Sequence, residues 1–121
     1  MPNTPKILRD TRGREICARC TVADRAHTRL RGLLGRDDLP AGEGLLLRPA
    51  PSVHTWFMRF PIDVVFLDAH LRVLDVIPEL RPWRVAGRRK ARAALELPAG
   101  EAGRRGLRPG DVLELVPAPA A

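Results

Sequence analysis

The chain has no tyrosine, only two tryptophans and three phenylalanines. So few rings supply poorly the row of aromatics on which single-stranded nucleic acid stacks. Cysteine is as scarce: Cys17 and Cys20 are the only two. They supply neither a disulfide framework nor a four-cysteine zinc site, and His27, His54 and His70 show no ligand spacing. No apolar run approaches the roughly 18 residues of a membrane span. The stretch Met1-Pro2-Asn3-Thr4-Pro5-Lys6 lacks the apolar core of a secretory signal, so a cytoplasmic protein is expected. No glycine-rich segment matches a phosphate loop, and no serine sits in a nucleophile elbow. Neither a cofactor nor a metal is expected.

What is present describes one small folded unit. At 121 residues the chain has the length of a single domain, with a core expected over about 7–116 and frayed ends at 1–6 and 117–121. Hydrophobic residues at 45% and charged ones at 29% indicate a soluble globular chain rather than a disordered one. The net charge of +7 is carried almost wholly by arginine, with Lys6 and Lys90 the only lysines. Its one dense cluster is Arg88-Arg89-Lys90 with Arg92. The simpler reading is a solvated basic loop; the alternative is a weak nucleic-acid contact through Arg88–Arg92.

The patterning is mostly that of strands. Ile7-Leu8 and 14–23 read as two strands around the turn Asp10-Thr11-Arg12-Gly13. In the second, alternation places Ile16, Ala18, Cys20 and Val22 on one face and Cys17, Arg19 and Thr21 on the other. Asp24 suits the N-cap of a short helix over about 25–34, ended by Gly35. Further strands are expected at 45–47, 53–58, 62–67, 71–77, 93–97 and 112–116, with an irregular stretch at 81–92. Glu101 to Arg105 reads as one helical turn closed by Gly106, and Pro109-Gly110 as a type II turn. Short strands at close spacing with one modest helix give a mainly β fold, a small sandwich or partly closed barrel.

One segment concentrates unusual side chains: His54-Thr55-Trp56-Phe57-Met58-Arg59-Phe60-Pro61-Ile62-Asp63. Alternation puts Ile62, Val64 and Phe66 on one strand face and Asp63, Val65 and Leu67 on the other. Both faces are mostly apolar, so Asp63 needs a partner: Arg59, Thr55, His54 or backbone N–H groups. His54, Trp56 and Met58 share a strand face, which is either core or a surface for a small ligand or peptide. Glu96, within Leu95-Glu96-Leu97, reads as an outward polar residue; the alternative is a second carboxylate beside Asp63, which would allow acid–base chemistry. The spacing Cys17-Ala18-Arg19-Cys20 lies inside a strand, where positions three apart face opposite ways, so redox or metal function is not expected.

At these residues the sequence resembles an uncharacterised bacterial and archaeal family, domain of unknown function 192. The blocks are Gly32-Leu33-Leu34-Gly35-Arg36, Gly44-Leu45-Leu46-Leu47, the signature from His54 to Phe66, Ala94-Leu95-Glu96-Leu97-Pro98-Ala99-Gly100 and Gly110-Asp111. The resemblance runs from about Ile16 to Leu115. It implies a compact β-rich domain with one short helix and supplies no activity, substrate or catalytic residue. Thr55, Met58, Asp63, Glu96 and Gly100 coincide with its motif.

The leading expectation is a non-enzymatic accessory module that binds a small molecule or a protein segment. Its candidate binding residues are His54, Thr55, Trp56, Met58, Arg59, Asp63 and Glu96. The alternative is a small hydrolase or lyase using Asp63 with His54 or Glu96, which requires Asp63 to face a solvent-reachable cleft.

Overall fold

The computed structural model describes residues 5–23 and 36–117. Within them lie β1 (Lys6–Asp10), β2 (Glu15–Ala23), β3 (Glu43–Leu47), β4 (Ser52–His54), β5 (Ile62–Leu67), β6 (Val73–Leu80), β7 (Val85–Gly87), β8 (Ala93–Pro98), α1 (Glu101–Arg104) and β9 (Leu113–Pro117). The helix expected over 25–34 lies outside the described residues.

Seven strands form one sheet in the order β6-β5-β8-β3-β2-β1-β9. Every pairing in it is antiparallel except β2 with β3. The sheet curls until its two edges meet at one end. There Arg72 bridges Val112, and the Leu113 N–H donates to the Leu71 carbonyl at 2.9 Å. That contact does not grow into a ladder, so the fold is mainly β and the sheet is not a closed barrel. β4 and β7 form a separate two-stranded ribbon.

The alternation along β5 decides where the core sits. Val65 and Leu67 point into the curl, where they meet Leu8, Leu46, Leu95 and Leu113. Ile62, Val64 and Phe66 point outward and are covered by Val53 and Ala86 of the ribbon. With both faces buried, β5 reads as a continuous apolar run. Each fully buried Val, Leu, Ile or Phe contributes about 1.5–3 kcal/mol. α1 closes the curl with Ala102, and Leu107 follows it into the same cluster.

Three sequence expectations are corrected. First, Cys17 and Cys20 do not face opposite ways. Lys6 pairs with Cys20 and Leu8 with Cys17, so one β1 residue, Ile7, stands against two of β2, Ala18 and Arg19. That extra residue is a β-bulge, and it returns both thiols to the inner face. Second, the strand expected over 53–58 stops at His54, and the chain turns at Trp56 and Phe57. Third, 81–92 is not wholly irregular, for it contains β7.

Candidate functional site

Asp63 is fully buried on the inner face of β5. Its Oδ1 accepts from the backbone N–H of Glu79 at 2.9 Å and of Gly100 at 3.0 Å. Its Oδ2 accepts from the N–H of Ala102 at 2.9 Å. The partner is therefore backbone, not Arg59, Thr55 or His54. Two of the donors belong to the turn into α1, whose N-cap Gly100 lies at φ 89° and offers no side-chain cap of its own. Asp63 caps that helix from a different strand, satisfying N–H groups the short helix leaves open. The third donor sits in β6 where one residue bulges: Ile62 pairs with Leu80, but Val64 pairs with Ile77. One carboxyl group thus pins two irregular backbone segments, and it has no open path to a substrate.

Glu96 is also buried, which corrects the expectation of an outward polar residue. It does not join Asp63. In β8 it pairs with Val64 and with Leu45, whereas Asp63 pairs with Leu97. Paired residues share a sheet face, so Glu96 lies on the side toward the ribbon and Asp63 inside the curl. Loss of water around Glu96 pushes its carboxyl up to about 7.

The segment after β4 is organised by Thr55, which is fully buried. Its N–H donates to the Arg84 carbonyl at 2.8 Å, and its carbonyl accepts from Met58 N–H at 3.2 Å and Trp83 N–H at 3.0 Å. Its hydroxyl donates to the Arg81 carbonyl at 2.5 Å and accepts from the Arg84 N–H at 2.9 Å. One residue therefore ties two loops together, the turn at 56–57 and the turn at 82–84. Met58 is buried in the outer core, not beside His54 and Trp56 on a shared face.

What the two loops present is apolar. Trp56 is 46% exposed, Phe57 68%, Trp83 57% and Val85 62%. The rings are packed, His54 on Trp56 at 4.8 Å between centroids and Phe57 on Trp83 at 4.7 Å. Phe57 and Trp83 both hold φ 65°, a region that bulky side chains avoid. Residues held there cost of order 1–3 kcal/mol each. The result is an aromatic ridge at the end of the ribbon. Of the ridge, sequence reasoning reached His54 and Trp56 as candidates but left out Phe57, Trp83 and Val85, the last two brought in beside β4 by its ladder to β7. The one signal for them was Trp83 standing in a polar stretch, where a tryptophan has no core to enter.

The remaining candidates separate from this ridge. Arg59 makes an exposed ion pair with Asp37 at 2.7 Å. Cys17 and Cys20 are free and buried in the inner core, and contact with Cys17 together with burial pushes the Cys20 thiol up. Arg88 is held by Asp75 at 2.6 Å and lies over the Phe66 ring at 5.6 Å. Arg89 and Lys90 are exposed in the turn that follows. No three His, Cys, Asp or Glu gather as a metal set among the described residues. No helix among them is long and apolar enough to cross a membrane.

A curled, mostly antiparallel sheet with an outer ribbon carrying an aromatic ridge defines the class. The chain belongs to the family DUF192, Uncharacterized ACR, which matches residues 7–115. A UPF0127 protein of Pyrococcus furiosus is 35% identical over 116 residues, 89% of this chain and 96% of that one. A UPF0127 protein of Pyrococcus horikoshii is 46% identical over 50 residues, 40% of this chain and 43% of its own length. Among solved structures, a protein of unknown function from Novosphingobium aromaticivorans has a TM-score of 0.77 at 24% identity, covering 91% of this chain and 83% of that one. A Sinorhizobium meliloti protein provisionally described as a transcription regulator has a TM-score of 0.81 at 22% identity, covering 95% and 96%. Both share the fold.

Proposed function

We propose that this chain is a non-enzymatic binding module whose aromatic ridge docks a segment of a partner protein. The observation that carries this reading is the pair Phe57 and Trp83, exposed, mutually packed and both at φ 65°. Hydrophobic collapse would bury such rings, and relaxation would return their backbones to negative φ. The Thr55 hydrogen bonds hold them out instead. A ridge suits another surface, whereas small molecules favour concave sites that enclose most of their area. Exposed Trp flanked by Arg81 and Arg84 has the composition of interface hot spots. The hydrolase or lyase alternative draws no support from His54, Asp63 and Glu96, which stand on the ribbon surface, inside the curl and on the outer sheet face respectively.

A photoreactive amino acid placed at position 85 tests the reading in the native host. One cross-linked partner is expected with the wild-type ridge, and its loss in Phe57→Asp with the fold intact by circular dichroism. A cross-link unaffected by Phe57→Asp would overturn it.

A further inference from the structure

We propose that the docked segment is extended and acidic, and that it adds as a strand to the outer edge of β7. This inference rests on the reading of the ridge as a protein-binding surface and gives the partner a chemistry and a mode.

The edge is set by the ribbon's hydrogen bonding. Ser52 pairs with Gly87, Val53 with Ala86 and His54 with Val85. Thr55 N–H donates to the Arg84 carbonyl, and Arg88 N–H donates to the Pro51 carbonyl. These bonds fix the phase of the ladder. Arg84, Ala86 and Arg88 turn their backbone groups toward β4, so Val85 and Gly87 turn theirs away. Both outward residues are exposed. The Gly87 carbonyl already accepts from the Arg88 guanidinium at 2.7 Å. The Val85 N–H and carbonyl and the Gly87 N–H remain as the open positions of the edge. β7 carries no lysine, proline or bulge, and its three residues keep the open edge short.

Space and charge agree with this edge. An open groove of about 520 Å³ lies at its Gly87 end, lined by Leu74, Asp75, Gly87, Arg88, Arg89 and Lys90. Its far wall is β6, the edge strand of the large sheet. Asp75 is its one acidic wall residue and is engaged by Arg88 at 2.6 Å. Arg89 and Lys90 make no ion pair among the described residues. The groove end of β7 is therefore net positive, and the other end, at Val85, Trp83 and Phe57, is apolar. An antiparallel guest strand, the pairing with the better hydrogen bonds, would bring carboxylates to Arg89 and Lys90 with its N-terminal half. Its C-terminal half would lay apolar side chains on the ridge.

The probe is a synthetic nine-residue peptide with three glutamates at its N-terminal end and alternating valine and threonine after them. It is titrated into the 15N-labelled full chain. Shifted and exchange-protected amides at Val85 and Gly87 are expected. At least tenfold weaker binding is expected for three comparisons: the peptide with lysine for glutamate, the peptide N-methylated at alternate residues, and the chain carrying Arg89→Glu with Lys90→Glu. Equal binding of the N-methylated peptide would overturn strand addition, and equal binding of the lysine peptide would overturn the acidic class. Shifts confined to Phe57 and Trp83 would overturn the edge while leaving the ridge reading in place. No binding by any peptide, with phosphatidylserine vesicles retaining the wild type but not Phe57→Asp, would overturn a protein partner in favour of a bilayer. The cross-linking experiment at position 85 judges the ridge reading separately.

Discussion

Asp63 and Glu96 stand on opposite faces of the same sheet, one pair out of step. Asp63 lies across from Leu97, and Glu96 lies across from Val64. Side chains one residue apart on paired strands cannot meet through the backbone. The two buried carboxyl groups therefore act separately: Asp63 on backbone geometry, Glu96 on the protonation of the outer core.

Asp63→Asn keeps the shape but converts one accepting oxygen to a donor facing an N–H. It is expected to cost about 1–3 kcal/mol for the buried group left unpaired. Asp63→Ala abandons the N–H groups of Glu79, Gly100 and Ala102 together. Its expected cost is about 3–5 kcal/mol, in the range of breaking a buried polar network. Urea unfolding reads both. Full stability in Asp63→Ala would show that the carboxyl is not the anchor of α1 and the β6 bulge.

Glu96 gives the fold a pH dependence with a definite sign. Its folded pKa, about 7, is above that of an ordinary glutamate. Between the two values the folded state holds a proton that the unfolded chain has released. The stabilisation is complete below the unfolded pKa and is lost as pH rises through about 7, at up to about 1.4 kcal/mol per unit. Denaturant midpoints are expected to fall between pH 5 and pH 8, and Glu96→Gln is expected to flatten that fall. The same slope in both proteins would assign the dependence to another group.

Gly44 marks the crowding around the β2 bulge. A Cβ there would stand 2.9 Å from Cys17 Sγ, 3.0 Å from Leu97 Cδ2 and 3.3 Å from the Glu96 carbonyl. Gly44→Ala is expected to cost about 1–3 kcal/mol as overpacking. Cys17→Ala in the same chain removes the nearest atom and is expected to recover part of that loss. A double-mutant cycle with no coupling would mean that Cys17 does not face Gly44.

The ease of reading varied along the chain for physical reasons. β5 was legible because the period of two survives where both faces are apolar: Ile62, Val64 and Phe66 separate from Val65 and Leu67 as the alternation requires. The turn at Asp10–Gly13 was legible because an aspartate accepts from N–H groups two and four residues on. The β2 bulge was not, since strict alternation assigns faces by counting and one inserted residue reverses the count. β7 was not, since Val85-Ala86-Gly87 is too short to show a period and exists only through its ladder to β4. Asp63 was found and backbone N–H groups stood among its expected partners, but which ones could not be read. The three donors lie 16, 37 and 39 residues away, on backbone that carries no sequence signal.

The ridge makes the sharpest prediction, because folding and binding should ask for different residues at the same two positions. At φ 65° an asparagine is more comfortable than Phe57 or Trp83, since its short polar side chain tolerates the left-handed region. Replacing either ring forfeits their mutual packing, worth about 0.5–1.5 kcal/mol. It also relieves backbone strain of similar size. Phe57→Asn and Trp83→Asn are therefore expected to leave stability within about 1 kcal/mol of wild type, against about 3–5 kcal/mol for truncating a core phenylalanine. The same variants are expected to lose the cross-linked partner. Thermal melts and cross-linking yields from one set of samples test both halves. A loss of several kcal/mol in either variant would make the ring part of the core and remove the argument that it is held out for a partner.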